Sequence, residues 1–268
     1  MAFKRFDLLI SKKIPSYNKN IKVDADKSIS IRSFLIGAIS ENLSTVNNVL
    51  ESEDVYSTIN SLKKLGIKIK KQRAKKYLIF GKGLGSLHIK KIIKLNFGNS
   101  GTLARLLIGI LATTSGVKVK IFGDHSLNKR SMKSLINLMT KFGASFLPKD
   151  KFNLPLKLIS SEMPVGINYK AGVSAQLKSA VMLAGLNSFG ETKIIETLRS
   201  RNHTENMLLN NPQIISVQEK QKKIIKIFGK KYLNSINIEV PGDPSSAAFF
   251  SALTLLKENS ILKIKDVG

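Results

Sequence analysis

The chain has 268 residues and 43% hydrophobic content, enough for one large core or two ordinary cores. It has no cysteine, which excludes disulfides and thiolate metal sites and favours a cytoplasmic protein. The net charge of +26 would suit binding to nucleic acid. However, only 7 of the 44 basic residues are arginine, the lysines are scattered along the chain and tryptophan is absent. Nucleic acid is therefore not predicted as the primary partner.

One pattern occurs three times along the chain and begins a fourth time. Each copy opens with small polar residues, continues as an almost wholly apolar helix and ends in a short β-like stretch. The opening serines are spaced by 72, 74 and 71 residues, at Ser28, Ser100, Ser174 and Ser245. A repeat of this size is a supersecondary unit, longer than the common solenoid periods.

The spacing of apolar residues predicts the elements of each copy. The first helix of a copy is apolar nearly all round and the second is amphipathic, so we expect the first to be buried. The predicted helices are, in chain order, residues 28–39, 54–65, 102–112, 131–142, 175–186 and a short helix at 203–209. The predicted strands are 44–49, 117–122, 192–196 and 260–265, with strand-rich closing segments at 68–80, 144–158 and 214–228.

Three similar units in series predict one closed α/β domain at residues 23–240, inside out, with pseudo-threefold repeats, buried helices and outer sheets. Such packing brings several helix N-termini to one end, where their N–H groups and dipoles favour an anion. Residues 1–22 and 241–268 are expected to be an incomplete part of a second, similar domain. Because the fourth copy stops part-way, we interpret the sequence as an N-terminal fragment.

Six short motifs carry the polar residues of these helix starts. In chain order they are DKSISIR at 26–32, GNSGTLAR at 98–105, GDHSLNKR at 123–130, VSAQLKSA at 173–180, SRNHTE at 200–205 and VPGDPSSA at 240–247. Together they resemble the motifs of the EPSP synthase (3-phosphoshikimate 1-carboxyvinyltransferase) family, in its bacterial subclass that includes glyphosate-insensitive members. The resemblance implies transfer of the enolpyruvyl group of phosphoenolpyruvate to the 5-hydroxyl of shikimate 3-phosphate, in the shikimate pathway to chorismate and the aromatic amino acids.

The same resemblance implies the residues of two substrate sites. Shikimate 3-phosphate would be held by Lys27, Ser28, Arg32, Ser174, Ala175, Gln176 and Arg201. Phosphoenolpyruvate would be faced by Lys27, Asn99, Gly101, Arg130 and Gln176. Lys27 would lie between both substrates, where its ammonium could serve proton transfer. The family's catalytic carboxylates would lie beyond residue 268, so the fragment alone is expected to be inactive.

The expected partners are therefore two small anionic substrates, with no cofactor and no metal. The longest apolar runs, such as residues 103–112, are too short for a membrane span of about 20 residues, and the N-terminus shows no secretory signal. The complete protein is expected to be a cytoplasmic monomer. His88, His125 and His203 lack metal-ligand spacing, and His203 is predicted to be a structural residue at a helix start.

Two alternatives remain open. UDP-N-acetylglucosamine 1-carboxyvinyltransferase shares the fold, although that family would have Lys-Asn in place of Lys27-Ser28 and usually a reactive cysteine. A basic nucleic-acid-binding or RNA-end-processing protein could be built on similar repeats, and clustered basic and aromatic residues would favour it.

Overall fold

The structure, a computed structural model, describes residue 9 and residues 14–87, 92–219 and 221–268. His88 lies outside the described residues. The chain divides into two compact units, of which the larger is Ala25–Val240. The smaller consists of the described residues of Met1–Asp24 together with Pro241–Gly268.

Helices and strands are both distributed throughout the described part of the chain. The helices are α1 (Lys27–Ile39), α2 (Glu53–Lys64), α3 (Gly101–Ala112), α4 (His125–Lys129), α5 (Lys133–Lys141), α6 (Ala175–Leu186), α7 (His203–Leu208) and α8 (Pro244–Leu255). The strands are β1 (Asn18–Lys22), β2 (Leu43–Asn47), β3 (Lys68–Arg73), β4 (Lys76–Phe80), β5 (Ile93–Asn96), β6 (Lys118–Phe122), β7 (Ser145–Leu147), β8 (Leu156–Ile159), β9 (Asn168–Ala171), β10 (Glu191–Glu196), β11 (Ile215–Glu219), β12 (Lys223–Phe228), β13 (Asn237–Glu239) and β14 (Ile261–Lys265).

Three four-stranded sheets of the larger unit share one topology. Their strand orders are β13-β2-β4-β3, β5-β6-β8-β7 and β9-β10-β12-β11. In each sheet the first two strands are parallel and the remaining pairs are antiparallel. The first sheet takes its parallel strand from the far end of the unit, since Asn237 pairs with Thr45. The three repeats are thereby closed into a ring.

Helices α1, α3 and α6 form the centre of the larger unit. Residues 30–39 of α1 and 178–186 of α6 are all buried, as is every residue of α3 except Arg105. A helix that is apolar on all sides is stable only when every side packs against other elements. The outer sheets and the neighbouring helices provide this packing. Helices α3 and α6 pack closely, because a Cβ atom on Gly109 would come within 2.6 Å of the Ala180 carbonyl oxygen. The predicted inside-out α/β fold is confirmed.

The element bounds differ from the predicted ones mainly around residues 131–142. There the structure has α5 at Lys133–Lys141 and a separate short helix, α4, before it. The two are separated because Arg130 takes an extended conformation, with φ −75° and ψ 133°. The start of α4 is fixed by Asp124, whose carboxylate accepts a hydrogen bond from Leu127 N at 2.7 Å.

The smaller unit contains β1, α8 and β14. Strands β1 and β14 pair in parallel, and the Tyr17 hydroxyl lies 2.7 Å from the hydroxyl of Thr254 in α8. Helix α8 is mostly apolar, yet only Ala247 is buried, and Phe249 and Leu255 are 80% and 88% exposed. Among the described residues, no helix is both long enough and apolar enough to cross a membrane.

Candidate functional site

The three central helices begin with side chains that cap their N-termini. Asp26 caps α1 by accepting from Ile29 N at 2.7 Å, Ser100 caps α3, and Ser174 caps α6. A capping oxygen satisfies one of the four free N–H groups of a helix start. The helix itself provides no acceptor for the other N–H groups of its first turn, and the helix dipole adds a partial positive charge there.

Two hydrogen bonds bring these helix starts together. Gln176 Nε2, in the first turn of α6, donates to Thr102 Oγ1, in the first turn of α3, at 2.9 Å. Arg32 Nη2, in the second turn of α1, donates to Ser179 Oγ, in the second turn of α6, at 3.2 Å. The starts of α1, α3 and α6 therefore lie at the same end of the larger unit, where three dipoles point outward.

Arg32 is a buried cation at this end. Its Nε donates to Thr204 Oγ1 at 2.8 Å and its Nη1 to the Ser28 carbonyl at 3.0 Å, in addition to the bond with Ser179. Burial lowers the pKa of Arg32 to about 10, the carboxylate of Asp26 opposes that shift, and the positive charge of Arg201 adds to it. At neutral pH the guanidinium still carries its full charge.

Lys27 begins α1, and its ammonium pairs with a carboxylate from the next helix. Its Nζ lies 3.0 Å from Asp54 Oδ2, and the two side chains are 49% and 18% exposed. The sequence explains Asp54 as an acidic residue in a helix first turn, favoured by the dipole, and its position in the first turn of α2 agrees with that. The structure adds a second role, since Asp54 holds the Lys27 side chain in place.

A second group of cations surrounds the start of α3. Arg130 Nη2 donates to Asn99 Oδ1 at 2.6 Å, and Arg105 Nη1 donates to the Gly101 carbonyl at 3.0 Å. Burial, and then the charge of Arg130, lowers the pKa of Arg105. A Cβ atom at Gly101 would lie 2.8 Å from Arg105 Nη1 and 3.3 Å from Arg130 Nη1, so only glycine leaves both guanidinium groups where they are.

The remaining predicted residues lie beside these two groups. Ser174, Ala175 and Gln176 form the half-buried start of α6, and Ser28 is half-buried in the first turn of α1. Arg201 is exposed, in the loop between β10 and α7, and its charge reaches Arg32. The structure thus brings the predicted residues to the end of the unit where the helix starts meet.

Sequence reasoning missed the roles of Asp54 and Thr204, and it identified Arg105 as a candidate anion-binding arginine without assigning it to either substrate. Asp54 orients Lys27, Thr204 accepts from Arg32, and Arg105 adds a cation beside Gly101. A signal existed for Arg105, because an arginine inside an otherwise apolar helix start must face either a carboxylate or an anion site. The roles of Asp54 and Thr204 depend on contacts between distant segments, which spacing along the chain does not show.

The charges of the candidate site suit an anionic ligand. Its cations greatly outnumber its carboxylates, and among the described residues no group of three histidine, aspartate or glutamate side chains could hold a metal ion. A cavity of about 830 Å³ lies elsewhere, lined in part by Glu41, Ser115 and Asn187. Those residues follow the C-terminal ends of α1, α3 and α6, whose dipoles disfavour an anion, so we place the site at the N-terminal end.

Comparisons with known proteins identify the family of the chain. The family model of EPSP synthase (3-phosphoshikimate 1-carboxyvinyltransferase) matches residues 12–268. The 3-phosphoshikimate 1-carboxyvinyltransferase of Paramagnetospirillum magneticum is 39% identical over 249 residues, which are 92% of this chain and 55% of that protein. The enzyme of that name from Zymomonas mobilis is 38% identical, covering 97% of this chain and 57% of that protein.

A solved structure gives the same result. The EPSP synthase from Acinetobacter baumannii superimposes with a TM-score of 0.83 at 34% identity, covering 94% of this chain and 57% of that chain. The fold and the motif residues therefore define an inside-out α/β protein whose cationic side chains gather at its helix starts. The chain belongs to the EPSP synthase family. It spans about half the length of the curated relatives it matches.

Proposed function

We propose that this chain supplies the anion-binding part of a 3-phosphoshikimate 1-carboxyvinyltransferase. That enzyme would transfer the enolpyruvyl group of phosphoenolpyruvate to the 5-hydroxyl of shikimate 3-phosphate, giving EPSP and phosphate. The observation that carries the proposal is the convergence of three helix N-termini with Lys27, Arg32, Arg105, Arg130 and Arg201. Each substrate has a phosphate and a carboxylate, and such a site offers both N–H donors and cations to them.

The proposed reaction is an addition followed by an elimination. The 5-hydroxyl group loses its proton as its oxygen adds to C2 of phosphoenolpyruvate, and C3 gains a proton. The tetrahedral intermediate then loses phosphate from C2 and a proton from C3. In this scheme Arg32, Arg201 and the start of α6 hold shikimate 3-phosphate. Asn99, Gly101 and Arg130 face phosphoenolpyruvate, and Arg105 reinforces the positive field there.

Lys27 is the residue of this chain that we assign to the chemistry. Its ammonium is held by Asp54 at 3.0 Å and remains half exposed, so it can approach a bound anion without losing its partner. A positioned ammonium stabilises developing negative charge and can exchange a proton with the reacting groups. The cytoplasmic location and the monomeric state of the complete protein remain predictions that accompany this proposal.

Calorimetric titration of the 268-residue chain with shikimate 3-phosphate tests the proposal. We expect Arg201→Ala to raise Kd by about 10- to 100-fold, because a hydrogen bond to a charged group contributes about 1.5–3 kcal/mol. The matched control is Lys63→Ala, which removes an exposed cation at the C-terminal end of α2 and should leave Kd unchanged. Titrations with UDP-N-acetylglucosamine and with a short RNA test the alternatives, and preferential binding of either would contradict the proposal.

A second titration separates Lys27 from the other cations. Lys27→Ala should weaken the binding of both shikimate 3-phosphate and phosphoenolpyruvate, because we place Lys27 between the two substrates. Arg201→Ala should affect only the first of them. If Lys27→Ala left the affinity for both ligands unchanged, Lys27 would have no place in the site.

A further inference from the structure

Three buried charged side chains and one nearly buried lysine lie together behind the proposed substrate site. We call Lys178, Glu196, Glu205 and Lys223 the buried ion cluster. Lys178 Nζ, in α6, lies 2.8 Å from Glu196 Oε1 and 2.6 Å from Glu205 Oε1, and the Lys178 side chain is only 1% exposed. Lys223 also contacts Glu205, and it lies 3.3 Å from the half-exposed Glu219, so Lys178 and Lys223 together face both buried carboxylates.

The buried ion cluster contributes little net free energy to the stability of the fold. Removing an ion from water costs several kcal/mol, and well-packed apolar residues of similar volume are often as good or better. Helix α6 is apolar from residue 180 to residue 186, so another apolar residue at position 178 would suit its burial. The reason for the charges must therefore lie in the groups to which they connect.

Both carboxylates of the cluster connect to the substrate site. Glu196 Oε1 accepts from the Ser200 backbone N at 2.8 Å and from Ser200 Oγ at 2.7 Å, and Ser200 is followed by Arg201. Glu205 follows Thr204, whose hydroxyl accepts from Arg32 Nε and donates to Ser179 Oγ at 2.8 Å. The cluster is thus joined to Arg201 through the hydrogen bonds of Glu196 with Ser200, and to Thr204 through the peptide bond before Glu205.

We propose that the buried ion cluster is a positioning device that fixes the loop carrying Arg201 and the Thr204 support of Arg32, and so sets the affinity for the phosphorylated substrate. The assignment of that substrate rests on the proposed function. Lys178 is the central residue, because it alone contacts both carboxylates from the start of α6.

Removal of the Lys178 charge should weaken binding of the substrate. Without the Lys178 ammonium, two carboxylates are left beside an anion site with one buried counterion fewer. An uncompensated buried carboxylate turns towards the nearest cation or towards water. Glu196 would then release Ser200, and the freed carboxylates would compete with the substrate for Arg201 and Arg32.

Amide hydrogen exchange in the ligand-free 268-residue chain tests the positioning itself. We expect Lys178→Met to speed exchange of residues 197–204 by about tenfold or more, since local opening frees this segment. The matched control is Lys226→Met, which breaks a partly exposed ion pair between Lys226 on β12 and Glu191 on β10 and should leave the segment unchanged. If Lys178→Met does not fold, Ser200→Ala decides instead, because it removes one bond to Glu196 and no charge. Wild-type exchange of residues 197–204 in the folded variant would overturn the proposal.

Titration of the same variants with shikimate 3-phosphate tests the link to affinity. We expect Kd to rise about tenfold or more for Lys178→Met, the scale found when outer partners of ligand-holding residues are removed. Adding Glu205→Gln should recover part of the loss, because one uncompensated carboxylate disappears. Faster exchange with unchanged affinity would overturn the link. A wild-type chain that fails to bind shikimate 3-phosphate would overturn the proposed function, while the exchange result would still test the positioning role.

Discussion

Arg32 and Lys27 are five residues apart in the same helix, but their charged groups differ in burial and in the partners that they contact. Arg32 is enclosed, and neutral groups of Ser28, Ser179 and Thr204 accept all its described hydrogen bonds. Lys27 is half exposed and has a carboxylate partner. A cation whose hydrogen bonds go to neutral acceptors keeps more of its charge for a ligand, whereas a cation paired directly with a carboxylate is fixed in direction. The first arrangement favours binding and the second favours chemistry.

The glycine at position 101 gives a selective prediction. Gly101→Ala should displace the guanidinium groups of Arg105 and Arg130, because the new Cβ would lie 2.8 Å and 3.3 Å from their Nη1 atoms. Both groups end flexible side chains, so the free energy of unfolding should change by less than about 1 kcal/mol. Phosphoenolpyruvate should bind about tenfold more weakly, because the two cations that face it have moved.

Two controls accompany this variant. Gly172→Ala adds a methyl group where no described atom lies within 4 Å, so it should bind both ligands like the wild type. The affinity of Gly101→Ala for shikimate 3-phosphate should stay near the wild-type value. An equal loss for both substrates would show that Gly101 does not separate their sites.

The cap of α1 gives a stability prediction. Asp26→Ala should lower the free energy of unfolding by about 1 kcal/mol, because Ile29 N loses its acceptor. Ser52→Ala is the comparison, since Ser52 occupies the same cap position of α2 without a side-chain cap bond. Its Oγ is buried and has no hydrogen-bond partner among the described residues, so removing it should cost nothing. Urea unfolding of both variants checks this, and equal losses would contradict the capping role.

At the scale of elements, the long apolar helices were predictable and the short polar strands were not. Helix α6 has the predicted bounds, and α1 and α3 begin one residue earlier than predicted. The apolar residues of these helices identify them without any tertiary contact. Strands β5, β9 and β13 have only three or four residues, and their pairing is decided by partners in the parallel neighbour strands. Such pairing depends on context more than on propensity.

The candidate site shows the same division. Sequence motifs located its helix starts, since capping residues and arginines are recognisable in the chain. The pair of Lys27 with Asp54 and the pair of Lys178 with Glu196 were not predicted, because each joins elements whose packing is set by the whole fold. A lysine inside the apolar α6 was nevertheless a usable signal, since a buried lysine requires a buried partner.

The carboxyl group of Glu196, at the end of β10, should make the free energy of unfolding depend on pH. Burial alone would raise the pKa of Glu196, but hydrogen bonds from Lys178 and Ser200 outweigh it and hold the pKa below its ordinary value. A carboxyl whose pKa is lowered by folding stabilises the protein above its unfolded pKa, and that contribution is lost as the pH falls through the folded pKa.

We therefore expect Glu196→Gln to be less stable than the wild type at pH 7 and to approach it as the pH falls below about 4. Urea unfolding between pH 3 and 7 measures the difference. Glu162→Gln serves as a control for the loss of one negative charge, because Glu162 is exposed. A stability difference for Glu196→Gln that stayed constant across this range would contradict the assigned pKa direction.

At the scale of the molecule, the larger unit contains its own core. Every residue of the main hydrophobic cluster lies between Ala25 and Val240. We expect residues 25–240, expressed alone, to unfold cooperatively with a Tm within about 5 °C of that of the 268-residue chain, because a unit with a complete core can fold by itself. Thermal unfolding followed by circular dichroism tests this. A broad, non-cooperative transition would show that the unit needs the remaining residues.

The ring closure of the three sheets also dictates an order of events during synthesis. Strand β2 receives its parallel partner, β13, only when a segment 192 residues further along has emerged, since Asn237 pairs with Thr45. At typical translation rates that wait is on the order of 10 to 40 s. During this time the first repeat presents an open strand edge, on which chains can join each other. A nascent chain released at residue 236 should therefore aggregate, whereas one released at residue 240 can protect its own first sheet.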